Sequence, residues 1–218
     1  MLKYAAVLGA GVAVNQFQLT EARRREALQA QLQPHFLFNA LQTIGSTARQ
    51  DGALAARQTT LLGDLLRQTL QDDRKKLVPL CDELSLLEPY VELQKLRFGD
   101  RLAIHYAIPD ELLGVPVPDL LLQPLVENAL HHGIERRPGA GSVTIAARSH
   151  GGKLELSVQD DGVGCEGDAS ADGIGLGTTR SRLAGLFGDA ADLRVAAAPE
   201  QGTVVTVVIP MREVGDVG

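Results

Sequence analysis

The chain has 218 residues, enough for one large domain or two modest ones with a sizeable core. Hydrophobic residues at 44% and charged residues at 22% exclude a disordered, collagen-like or disulfide-framework chain. The 21 Lys and Arg against 27 Asp and Glu leave a net charge of −6 and no electrostatic support for direct nucleic-acid binding, while Cys81 and Cys165, without metal-type spacing, fit a reducing compartment.

Tyr4 to Val14 is an uncharged run which, as a helix, spans only about 16 Å of a hydrocarbon core about 30 Å thick. Arg23, Arg24 and Arg25 follow it as a cytoplasmic flank would. The run therefore reads either as the tail of a transmembrane helix or as an N-terminal amphipathic or buried helical segment, and patterning does not separate the two. From Gln16 to about Asp73 the composition is helix-forming and reads as an αα-hairpin turning at Asp51-Gly52. Leu37, Leu41, Ile44 and Ala48 make one apolar stripe; Leu61, Leu62, Leu65, Leu66 and Leu70 make a second. Two such helices bury little alone, so two copies forming a four-helix bundle are expected. Val78 to Phe98 is a further helix, opened by Pro79 and ended by Gly99-Asp100, which reads as a connector.

Beyond Arg101 the texture becomes strand-like: Leu102 to Ile108, Ser142 to Arg148, Leu154 to Gln159, Leu193 to Ala197 and Thr203 to Ile209. Helices interrupt them at Asp119 to His132, closed by Gly133, and at Thr178 to Phe187, closed by Gly188. The expected class is α+β: an apolar segment at 1–15, helices and connector at 16–98, an α/β sandwich with helices on one sheet face at 99–212, and a tail at 213–218.

Three segments of the second domain carry residues that a core alone does not require. In Gln123-Pro-Leu-Val-Glu-Asn-Ala-Leu-His-His-Gly133, Asn128 and His132 lie one helical turn apart, and an amide oxygen there can help complete a magnesium shell made mostly of phosphate and water oxygens. In Asp160-Asp-Gly-Val-Gly164 a carboxylate at a strand end can accept from an exocyclic amine, while glycines allow close backbone approach to a flat base. Gly173-Ile-Gly-Leu-Gly177 runs into a helix and offers free N–H groups suited to phosphates. A Rossmann fingerprint would place its glycines after the first strand, and no Walker A motif is present.

This triplet resembles the N, G1 and G2 boxes of the GHKL (Bergerat) ATP-binding fold shared by gyrase, MutL and histidine kinases. The N-terminal half narrows the resemblance. Gln31-Leu-Gln-Pro-His-Phe-Leu-Phe-Asn39, Val78-Pro-Leu, Leu96-Arg-Phe-Gly-Asp-Arg-Leu102 and Leu122-Gln-Pro-Leu-Val-Glu-Asn-Ala129 are similar to LytS-type sensor histidine kinases over roughly residues 20 to 210. The resemblance implies that His35 is the phosphoacceptor. His35 lies about 200° around an ideal helix from Leu37, which places it off the core stripe. A neutral imidazole nitrogen can attack the γ-phosphoryl of ATP in line, and a partner on the other nitrogen selects the reactive tautomer.

The same resemblance implies Mg²⁺ at Asn128, the adenine amine at Asp160, and loop geometry from Gly162, Gly164, Gly173, Gly175 and Gly177. His131 and His132 stand where similar kinases place a basic and an aromatic residue; they read equally as helix C-terminal residues facing the dipole. Thr178 and Arg180 can meet phosphate oxygens, and Arg180 can equally cover surface. Asn39, one turn after His35, is either the amide that helps water attack a phosphorylated partner or a bundle amide. Segment Cys165 to Asp172 reads as a lid. Two positions depart from related patterns: Phe36 stands where many histidine kinases have an acid, leaving Glu127 as the candidate polar assistant, and Pro124 stands where ATP-hydrolysing relatives have one.

The implied partners are a second copy of the chain and a response regulator accepting phosphoryl on aspartate, often one with a LytTR-type DNA-binding domain. The implied place is the cytoplasmic face of the membrane. The competing readings are a nucleotide-binding dimeric module that signals without phosphorylating itself, and a plain ATPase.

Overall fold

A computed structural model describes residues 34–69, 77–164, 174–198 and 202–211, without the side chains of 34–39, 64, 65, 67–69, 174, 197 and 198. By packing, the chain divides into Met1–Gln71 and Asp72–Gly218. The first unit is the expected hairpin, α1 (Pro34–Thr47) and α2 (Gly52–Thr69). Asp51 caps α2, its Oδ1 accepting the Leu54 N–H at 2.9 Å, which satisfies one of the first-turn donors that a helix leaves orphaned. Ala40, Ala55, Gln58 and Leu62 are buried, whereas Leu41 is 52% exposed and Ala48 is exposed. Leu41 and Ala48 of that stripe are thus uncovered within one chain, and Ile44 is half-buried. No described helix is long and apolar enough to cross a membrane, and the Tyr4 to Val14 run lies outside the described residues.

The second unit begins with a short strand that patterning did not predict, β1 (Leu77–Pro79). Then come α3 (Leu80–Phe98), β2 (Leu102–Ala107), β3 (Pro116–Pro118), α4 (Leu122–Asn128) and a π-helical segment, Ala129–Ile134. They are followed by β4 (Gly141–His150), β5 (Lys153–Asp160), α5 (Ile174–Phe187), β6 (Asp192–Ala198) and β7 (Gly202–Pro210). β1 pairs antiparallel with β3, and the main sheet runs β2-β4-β5-β7-β6 with only the β2–β4 pair parallel. Strict alternation buries Val143, Ile145, Leu154, Leu156, Val158, Val205, Val207 and Ile209. Against that core stand Leu80, Leu87 and Val91 of α3, Leu122, Leu125 and Val126 of α4, and Leu176 and Leu183 of α5.

Gly151 and Gly152, both at positive φ, turn β4 into β5, and Gly99, at φ 59°, ends α3 with its N–H on the Lys95 carbonyl. Three expectations change. The helix expected from Pro79 as a connector packs with the second unit, and the packing division falls at Gln71/Asp72. The helix expected at Asp119 to His132 starts at Leu122 and widens into a π segment that continues through Gly133 to Ile134, so Gly133 does not close it. The helix expected from Thr178 starts at Ile174 and takes in Gly175 and Gly177.

Candidate functional site

Asp160 ends β5 at the centre of the sheet and is 1% exposed. A buried carboxylate must be hydrogen-bonded to be tolerated. Here Oδ1 accepts the Gly162 N–H at 2.8 Å. Burial pushes the Asp160 carboxyl up, the amides of Gly162 and Thr203 act against that shift, and neighbouring Asp161 adds to it. Three glycines from separate segments close around this point. A Cβ on Gly133 would overlap Asp160 Oδ1, one on Gly162 would overlap the Gly133 backbone, and one on Gly202 would overlap the Asp160 carbonyl oxygen. Gly162 is therefore required by the close approach of the π segment. Gly133 and Gly202 carry the site equally, although Gly133 reads from the sequence only as a helix terminator and Gly202 belongs to no motif.

Asp161 is a structural partner. Its Oδ1 and Oδ2 accept from the Ser142 N–H at 2.7 Å and hydroxyl at 3.0 Å. Arg137 bonds the Asp161 carbonyl and stands 3.4 Å from Oδ1. Arg101 in turn donates to the carbonyls of Gly139 at 3.0 Å and Arg137 at 2.9 Å, and Arg97 pairs with Glu135. The Leu96 to Leu102 motif thus holds the segment between the π helix and β4, and through Arg137 the turn after Asp160. Sequence spacing shows the arginines but not their acceptors, most of which are backbone carbonyls.

Asn128 closes α4 and is half-buried, with Ala129 beyond it packed in the core. Glu127 beside it accepts from Gln123 Nε2 at 2.9 Å, and burial pushes its carboxyl up to about 7 against that hydrogen bond. Its charge also bears on buried Tyr90 of α3. With a native pKa near 7 and an ordinary value of 4.5, Glu127 holds a proton between those limits that the unfolded chain has released. Stability from this group therefore falls as pH rises from about 4.5 to 7 and stays low above. Glu127→Gln is expected to gain on the order of 1 to 2 kcal/mol over the parent at pH 8 and almost nothing at pH 4.5, read from urea unfolding at both values.

His131 Nδ1 lies 3.0 Å from Glu135 Oε2, so Glu135 bridges His131 and Arg97. His132 is held below its usual range by burial, by Arg136 and by His131, which favours a neutral ring. α5 is described from Ile174, so Gly175 and Gly177 stand inside the helix rather than before it. Thr179 and Ser181 hydroxyls bond back to the Gly175 and Gly177 carbonyls, each at 3.0 Å. Arg180 Nη1 donates to the Leu193 carbonyl at 2.6 Å, which ties α5 to edge strand β6; Thr178 is exposed at the first turn.

Gly164 has φ 72° and directly precedes the Cys165 to Asp172 segment, which with Gly173 lies outside the described residues. His35 and Asn39 sit one turn apart on α1, in the other packing unit, and their side chains also lie outside the description. The structure thus brings Gly133 of the π segment, Asp160 and Gly162 together where that segment meets β5, and places Glu127 and Asn128 on the helix leading into it and His131 and His132 within it.

Residues 23–102 match the Histidine kinase family model, and residues 118–213 match that of the Histidine kinase-, DNA gyrase B-, and HSP90-like ATPase. The chain is 34% identical over 96% of its length to sensor histidine kinase BtsS of Escherichia coli K12, covering 38% of that protein. It is 33% identical over 96% of its length to sensor protein LytS of Bacillus subtilis, covering 37%. It therefore spans under two fifths of these curated relatives. Among solved structures, the histidine kinase domain of the Erythrobacter litoralis EL346 blue-light activated kinase superposes with a TM-score of 0.50 at 22% identity, over 87% of this chain and 91% of that one. Acinetobacter baumannii AdeS also superposes at 0.50, with 14% identity, over 82% and 95%. Two family models matched in succession, and relatives aligned along nearly the whole chain, establish that it belongs to the histidine kinase family.

Proposed function

We propose that this chain is the kinase core of a two-component sensor, which phosphorylates itself on His35 from ATP and passes the phosphoryl group to an aspartate of a response regulator. The observation that carries the nucleotide half is Asp160: a buried carboxylate at a central strand end, enclosed by glycines and facing the segment that follows Asn128. Asp160 accepts from the exocyclic amine of adenine, the N–H groups at the start of α5 receive phosphate oxygens, and the Asn128 amide oxygen turns to magnesium. A half-buried amide suits such a site, since its oxygen adds one neutral ligand to a shell made mostly of phosphate and water oxygens. Magnesium supplies charge neutralisation on the phosphates.

His35 acts as the nucleophile. A neutral ring nitrogen takes the γ-phosphoryl in line, ADP leaves with the bonding electrons of the broken P–O bond, and the proton on the other ring nitrogen is released. A second copy of the chain covers the α1 face left open at Leu41, and the regulator carries a LytTR-type DNA-binding domain. Attachment to the cytoplasmic face of a membrane runs through the residues before α1.

The test is incubation with γ-labelled ATP and Mg²⁺. The protein is expected to take up label that survives alkali and is lost in acid, and Asn128→Ala is expected to lower the uptake on the order of 100-fold. Measurable ATP binding without label would favour a module that signals by conformation alone.

A further inference from the structure

Leu120, between β3 and α4, has φ 53°, the one non-glycine residue at positive φ among those described. A bulky side chain there costs about 1 to 2 kcal/mol and persists only where the surroundings over-determine it. The surroundings here are two charged side chains from two other helices. Glu83 of α3 is 2% exposed; its Oε1 accepts the Leu120 N–H, and its Oε2 accepts those of Leu121 at 2.7 Å and Leu122 at 3.0 Å. Arg182 of α5 donates from Nη2 to the Leu120 carbonyl at 2.9 Å. One carboxylate thus gathers three consecutive amides at the start of α4, which has no side-chain cap of its own, and one guanidinium holds the carbonyl of the same strained residue. Glu83 is buried and Arg182 half-buried, and the charges of Glu83 and Asp119 both bear on the Arg182 guanidinium.

We propose that Glu83 and Arg182 are positioning residues that lock Leu120 in its left-handed conformation and thereby set the direction of the helix presenting Asn128 to the nucleotide. The proposal rests on the nucleotide reading above. Asn128 lies six residues beyond Leu122, about 9 Å along the axis, so a tilt at the gripped end is carried to the amide. It also makes α3 a mechanical neighbour of the nucleotide site through a single carboxylate.

The experiment uses the full chain, with Mg-ADP affinity by calorimetry and hydrogen exchange of the free protein. Glu83→Gln loses an acceptor and turns an NH₂ donor toward the amides; Arg182→Lys keeps charge and loses the fork. Each is expected to weaken Mg-ADP about tenfold and to speed exchange over residues 120–130 while β4 and β5 stay protected. Adding Leu120→Gly, which adopts positive φ without a Cβ penalty, is expected to restore the Glu83→Gln variant to within about threefold of the parent. If the parent binds Mg-ADP and both single variants bind within twofold of it, positioning is overturned and the nucleotide reading stands. A loss that Leu120→Gly does not restore, with exchange raised across the sheet as well, also overturns positioning, since it marks general loosening. A parent chain that binds no Mg-ADP overturns both.

Discussion

His35→Gln is expected to abolish phosphoryl uptake, to below about 1% of the parent, while Mg-ADP affinity stays within twofold. Glutamine keeps polarity and helix propensity but has no nucleophilic nitrogen, because its amide lone pair is delocalised into the carbonyl. The two halves of the result belong to two packing units: His35 rides on α1 in the first, and Asp160, Asn128 and the glycines form a site wholly within the second. Removing the acceptor therefore leaves the nucleotide contacts untouched. The measurement is labelled phosphate per chain beside an ADP titration of the same sample. Undiminished label would exclude His35 as acceptor, and label that survives acid as well would indicate a hydroxyl acceptor in its place.

Legibility in the sequence follows the range of the forces involved. The five strands of the main sheet end within two residues of the positions expected from alternation, because half-buried strands write their period directly into apolar spacing. Asp51, Gly99, Gly151 and Gly152 likewise act where local backbone chemistry needs them. The start of α4 is misjudged because Asp119 looks like a helix-opening residue, whereas the N–H groups there are taken by Glu83, 37 to 39 positions away. The short β1–β3 pair escapes notice because three-residue strands rich in proline carry no periodic signal.

The site shows the same division. Asn128, Asp160 and Gly162 stand out because their motifs are contiguous, and the structure places Gly133, at the end of the Asn128 motif, against Asp160. Gly133 passes as an ordinary helix terminator and Gly202 as a loop residue, since the reason for each is an atom of Asp160 in another segment. Glu83 and Arg182 are invisible for a further reason: a charged residue on a helix is normally a solvated face, and only the burial of Glu83 and the bond from Arg182 to the Leu120 carbonyl mark these two as different.

The largest stability effect is expected at Gly202, and a matched glycine separates its two causes. Gly202 has φ 80° and Gly152 has φ 74°, so alanine meets nearly the same backbone penalty at both, about 1 to 2 kcal/mol. They differ in surroundings. A Cβ on Gly152 meets nothing within 4 Å, whereas one on Gly202 would overlap the Asp160 carbonyl and press on Asp161 Cα at 2.9 Å. Those are backbone atoms at and just beyond the end of central strand β5 and cannot rotate aside, so the chain segments must separate. Gly202→Ala is expected to cost about 2 to 3 kcal/mol more than Gly152→Ala, a further 5 to 10 °C in melting temperature by circular dichroism. Gly133→Ala should behave differently again, because its obstacle is the end of a side chain. The Asp160 carboxyl can swing away, sparing much of the stability but removing the acceptor from the adenine amine, so nucleotide affinity should fall more than melting temperature does. Equal melting temperatures for the Gly202 and Gly152 variants would mean that β5 does not lie against the start of β7 as closely as the glycine cluster requires.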